Sequence, residues 1–173
     1  MIGCTLTYDY VMERIEWIEE YLDEAMRLAY DEGHEPALRL LDKLLFEEPG
    51  YGRLHFTLGK VYYNFADDQL RAEMHFRLAI RFDGEFADTY LYLGKLLSED
   101  ERHKEAVDVY LQGLNAKRAY KTELYNGAAR SYELMKKYKK AILHYKDALS
   151  YSAETYHCLS LENSIRRCER KRK

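Results

Sequence analysis

A chain of 173 residues has the length of one ordinary domain, and 47% apolar against 33% charged residues supports a packed interior under a solvated surface rather than disorder. Two prolines, Pro36 and Pro49, and nine scattered glycines leave no linker-like stretch, so residues 1–173 are expected to form a single unit of long helices joined by short turns. Cys4, Cys158 and Cys168 are odd in number and lack zinc or disulfide spacing, which points to a reducing, cytoplasmic setting. Met1 to Tyr10 has no basic start followed by an apolar run, and no stretch approaches the ~20 apolar residues of a membrane helix, so neither an export signal nor a membrane span is expected.

From Tyr10 to Tyr30 the residues Val11, Ile15, Ile18, Leu22, Ala25, Met26 and Ala29 recur at spacings of three and four, predicting a long first helix with one apolar face. Its leading turns, with Trp17 and Tyr21, have no preceding element to cover them; they fold back on the chain or cover a neighbour. A weaker repeat follows in Ala25, Leu28, Ala37, Leu41, Leu44 and Pro49.

The next three repeats are plain. A shift of about 35 residues superposes Leu58-Gly59, Leu93-Gly94 and Ala128-Ala129, with Tyr62, Leu97 and Tyr132 three residues further on. In step with these come Ala72, Phe76 and Ala79, then Ala106, Tyr110 and Gly113, then Ala141, Tyr145 and Ala148. A small residue where two helices meet lets their backbones approach, and the aromatic fills the adjoining gap. After the last repeat, Tyr156, Leu159, Leu161, Ile165 and Cys168 predict a capping helix, and Arg166 to Lys173 a basic tail running into solvent.

These residues resemble the tetratricopeptide (TPR) family, whose ~34-residue pattern is an aromatic, Leu-Gly, Tyr, then Ala, Phe, Ala and often Pro. His55, Tyr90 and Tyr125 fill the leading aromatic position; the second and third units lack the closing proline, leaving the turns after Phe82 and Ala116 open. The resemblance implies an all-α, right-handed helix-turn-helix solenoid of about four units. Residues 1–17 would be an N-terminal helical extension, 18–151 the repeats, and 152–173 the capping helix and basic tail. Most tyrosines at repeat positions are expected in the core.

Charge is unevenly spread. Residues 1–50 carry 13 acids and 4 bases, residues 51–116 carry 11 and 8, and residues 117–173 carry 6 and 15. In a solenoid such an order becomes an electrostatic dipole, with head-to-tail attraction between copies as one consequence.

No nucleophile–base pair, metal-binding histidine spacing or phosphate-cradling glycine loop appears, so neither catalysis nor a cofactor is expected. His34, His55, His75, His103, His144 and His157 read as turn or packing residues. Lys60, Lys95 and Arg130 follow the three small pairs at intervals of 35. The resemblance places this position on the concave groove, implying a ladder of positive charge for an acidic or carboxylate-bearing peptide. Tyr63, Asn64, Tyr92 and Asn126 project on the same face, suited to stacking and to bonding a peptide backbone. A solvated helix surface accounts for the basic ladder equally well. Phe56, Thr57, Leu91 and Tyr92 occupy positions that some family members use to clamp a terminal carboxylate, so that mode is not expected.

The leading function is therefore a non-enzymatic scaffold or adaptor binding a protein or peptide segment. Alternatives are a homo-oligomeric module, including a homodimer through the N-terminal helix, and a cytoplasmic secretion-type chaperone. A third is nucleic-acid binding through Lys136-Lys137-Tyr138-Lys139-Lys140 and the basic tail, weakened by the negative overall charge.

Overall fold

The computed structural model describes the backbone of residues 3–172 and the side chains of residues 14–172. Val11 and the rest of the extension before Arg14, Cys4 and Lys173 carry expectations that lie outside the described side chains. Among the described residues there are nine α-helices: α1 Gly3–Asp31, α2 His34–Glu47, α3 Gly52–Asn64, α4 Gln69–Phe82, α5 Ala87–Glu99, α6 His103–Gly113, α7 Lys121–Leu134, α8 Tyr138–Tyr151 and α9 Thr155–Arg172. None of them is long and apolar enough to cross a membrane. The chain divides into two compact units, the first ending at Phe82 and the second beginning at Asp83.

In the first unit, α1 pairs with α2 and α3 with α4. Ile18, Leu22, Ala25 and Ala29 are the buried face of α1 and meet Ala37, Leu41 and Leu44 of α2. Gly33, at φ 96°, makes the turn between them in a backbone region that side-chain-bearing residues avoid. Glu19 accepts a hydrogen bond from the Tyr51 hydroxyl and an ion pair from Arg53 at 3.0 Å, and Arg14 pairs with Glu48. These contacts tie the middle of α1 back onto its own unit.

The α3–α4 pair shows what the small-aromatic motif does. A Cβ added at Gly59 would lie 2.6 Å from the Phe76 ring, so only glycine lets that ring seat against the helix backbone. The leading aromatic position holds His55, whose Nε2 is 2.9 Å from the Pro49 carbonyl and whose Nδ1 is 3.0 Å from Nδ1 of His75. A carbonyl only accepts, so Nε2–H of His55 donates to it, and His55 Nδ1 then accepts from Nδ1–H of His75. Burial is the chief reason, followed by the neighbouring His55 and Arg71, that the His75 pKa falls from 6.5 to about 4.

In the second unit, α5 pairs with α6, α7 with α6 and α8, and α9 with α8. Gly94 repeats the role of Gly59: a Cβ there would come within 2.5 Å of the Tyr110 ring. In the last repeat Ala129 and Tyr145 are both fully buried, so a methyl group is accommodated at this register. The turns inside the three plain repeats also match, each passing through a residue at positive φ: Asp67 (51°), Glu101 (59°) and Lys136 (58°). The following N–H then reaches back to the carbonyls of Tyr62, Leu97 and Tyr132 at 2.9–3.0 Å, a helix-ending bond that satisfies an otherwise orphaned acceptor. Where proline is missing after Phe82 and Ala116, a short parallel bridge joins Phe86 and Lys117, with the Lys117 N–H donating to the Glu85 carbonyl at 3.1 Å.

The capping helix is present, with two corrections. Leu161, Ile165 and Cys168 form its buried face against Ala141, Ile142, Tyr145 and Ala148. Tyr156 and Leu159 lie outside that face and are 79% and 55% exposed, because positions 161, 165 and 168 alone share one helical stripe. The basic tail is helical to Arg172 rather than loose. Glu133 at the end of α7 accepts two bonds from the Arg167 guanidinium, both at 2.8 Å, one from Lys171 at 3.1 Å and one from the Tyr145 hydroxyl at 3.0 Å. These bonds hold its carboxyl down to about 2, Arg167 contributing most, against the opposing effect of burial. Among the repeat tyrosines Tyr62, Tyr110 and Tyr145 are buried as expected, whereas Tyr132 is only partly covered.

Candidate functional site

The second unit holds an open hollow of about 380 Å³ lined by α5, α6 and α7. Its floor is a consequence of two glycines. Gly94 on α5 and Gly127 on α7 each leave room for the Tyr110 ring of α6, and a Cβ at either would come within 2.5 Å of it. The ring therefore lies between the two helices and lines the hollow, and burial pushes the phenol up to about 12, so it is a neutral hydroxyl at any ordinary pH. Leu91 and Leu134 add apolar lining.

Polar groups complete the walls. Lys95 and Arg130 extend from α5 and α7, Asn126 supplies an amide, and Ser98, Glu99 and Glu123 contribute a hydroxyl and two carboxylates. Lys95 faces Glu99 one turn along its helix at 3.9 Å. Arg130 is exposed, and among the described residues no carboxylate lies within ion-pair distance of it. Ser98 is held by the Ser131 hydroxyl at 3.2 Å, and Ser131 in turn donates to the Gly127 carbonyl at 3.0 Å, fixing the α5–α7 approach. A hollow with an aromatic and aliphatic floor, one cation without an acid partner and an amide offering both donor and acceptor can take an extended or helical segment carrying a carboxylate.

Asn126 and Glu123 also border a smaller hollow of about 80 Å³ with Thr122, His157, Ser160 and Leu161, so the start of α7 faces both sites. Of the residues singled out by sequence, Lys95, Asn126 and Arg130 are thus brought together. Tyr92 is on α5, half-buried, and does not line the hollow. Lys60, Tyr63 and Asn64 belong to α3 of the first unit: the Lys60 ammonium sits 5.6 Å from the Phe56 ring centre, Tyr63 meets Phe76 edge-on at 6.5 Å, and Asn64 is exposed at the helix end. Sequence reasoning missed Gly127 and the double role of Tyr110. The signal was the run Gly127-Ala128-Ala129, three small residues where the other repeats have Thr57-Leu58-Gly59 and Tyr92-Leu93-Gly94.

No protein-family model matches the sequence, and no curated protein matches it as a relative. Solved structures do. The chain is similar to the crystal structure of MamA protein at TM-score 0.76 and 19% identity, over 89% of this chain and 81% of that one. It is similar to yeast Tom70 at TM-score 0.74 and 14% identity, over 88% of this chain but 33% of Tom70. The Arabidopsis OM64 TPR domain gives TM-score 0.59 and 16% identity, over 69% of this chain and 94% of that domain. Identities this low speak for the backbone and not for a shared ligand. Together with the matched helix pairs, they show that this chain has the tetratricopeptide-like, all-α helical-repeat fold.

Proposed function

We propose that the chain is a non-enzymatic protein-interaction scaffold whose second unit seats a peptide or helical segment over Tyr110, with an acidic side chain of the partner meeting Arg130. The observation that carries this reading is the exposed Arg130 guanidinium, without a carboxylate partner among the described residues, on the wall of a hollow floored by an aromatic ring. Lys95 adds positive potential and Asn126 reaches backbone amides. Tyr92, which does not line this hollow, is proposed as a weaker contributor, and Lys60, Tyr63 and Asn64 as a separate contact surface of the first unit.

Selection from a displayed library of random peptides tests the reading. The wild-type protein should enrich Asp- and Glu-bearing sequences around an apolar anchor, and Arg130→Glu should weaken the best of them about tenfold or more, most strongly at low salt. An enriched set that Arg130→Glu binds equally well, or with unchanged salt dependence, would overturn the proposal.

A further inference from the structure

The fold brings part of the positive charge of the second unit together at the end of α7. By taking Arg167 and Lys171, Glu133 brings the last turns of α9 beside the turn into α8, where Lys136 and Lys137 follow Glu133 by three and four residues in the chain. One carboxylate has then engaged two cations. Lys136, Lys137 and Arg170 have no acid within ion-pair distance among the described residues, and all three are exposed. Like charges held close without neutralisation raise the local potential and favour an acidic surface as partner.

The first unit presents such a surface. Glu16, Glu20 and Asp23 are exposed on α1 at spacings of four and three, which puts them on one helical face. Among the described residues none of the three has a cation within ion-pair distance, whereas Glu19 and Glu24 of the same helix are engaged by Arg53 and Arg27. The chain therefore carries two unneutralised patches of opposite sign on separate units.

We propose that the basic surface of α8–α9 docks the acidic α1 face of a second copy of this chain. Repetition of the contact builds chains or rings, and two copies that dock reciprocally close as a dimer. It uses none of the residues around Tyr110, so it stands or falls independently of the peptide-binding reading.

Light scattering across a concentration series provides the test. At about 20 mM salt the average mass should rise with concentration, and at about 500 mM salt it should return to a single chain, because exposed charges are screened. Two variants, Glu16→Lys/Glu20→Lys/Asp23→Lys and Lys136→Glu/Lys137→Glu/Arg170→Glu, should each stay single at low salt while keeping the wild-type helical spectrum. Mixed in equal amounts they should associate again, since each now complements the other, and Arg130→Glu should assemble like wild type. A wild-type protein that is a single chain at low salt overturns the proposal, as does a mixture that fails to associate. Monomeric wild type that binds a labelled oligonucleotide through Lys136, Lys137 and Arg170 would overturn it in favour of a nucleic-acid surface.

Discussion

The two units solve one packing problem with different chemistry. Both press an aromatic ring against a glycine of the preceding helix, Phe76 against Gly59 in the first and Tyr110 against Gly94 in the second. Around that common joint the first unit places a hydrogen-bonded histidine pair, His55 and His75, while the second places a phenol lining a surface hollow and closes its end with a four-bond carboxylate clamp. The motif thus specifies size and leaves polarity free. The buried histidine pair lies in one unit, and the candidate binding site in the other.

The joint itself should give the largest effect. Gly94→Leu drives a branched side chain into the Tyr110 ring, where even a Cβ is already 2.5 Å away, and neither helix can withdraw without opening the core. A loss of about 3 kcal/mol or more is expected in denaturant unfolding. Ala129→Gly, at the register where alanine already fits, should cost only about 1 kcal/mol. Equal costs would mean that the glycine joint is not what sets the approach of the helices.

The next effect separates the ends. Glu133→Ala removes the acceptor shared by Arg167, Lys171 and Tyr145 and leaves the Tyr145 hydroxyl without its partner. Partly exposed charge pairs contribute modestly, so about 2 kcal/mol is expected. Hydrogen exchange should quicken along residues 155–172 and stay unchanged in the first unit. Protection of α9 that survives the substitution would show that Leu161, Ile165 and Cys168 hold the helix alone, each worth roughly 1.5–3 kcal/mol by burial.

These features mark where sequence reading stops. The repeats were legible because Leu58-Gly59, Leu93-Gly94 and their aromatic partners are spaced by a covalent ruler, and helical periodicity then fixes which side is buried. The α9 clamp was not legible, since Glu133 and Arg167 lie 34 residues apart with no pattern linking them, and basic residues at a terminus look alike whether bonded or solvated. The hollow was half legible. Lys95, Asn126 and Arg130 follow from register, whereas its floor depends on Gly127 being small on the far side of Tyr110, a three-helix relation.

The smallest effect tests the difference in polarity. The folded His75 pKa of about 4 lies below its unfolded value of 6.5, so the unfolded chain binds the extra proton. The stabilising contribution is fully present above 6.5 and is lost as pH falls from there toward 4, amounting to about 1–2 kcal/mol once solvent screening is allowed for. Charging His75 at its other ring nitrogen leaves its Nδ1–H bond to His55 in place, so the loss comes from holding a buried charge beside His55 and Arg71. A His55→Phe/His75→Leu variant should therefore flatten the stability curve between pH 6.5 and 4, whatever its absolute stability. Glu133 acts over a different range: its folded pKa of about 2 lies below the ordinary carboxylate value of 4.5, so its contribution is kept above 4.5 and fades only as pH drops toward 2. A slope between 6.5 and 4 that persists in the double variant would have to come from other groups, and the histidine pair would then be a packing feature without a role in acid response.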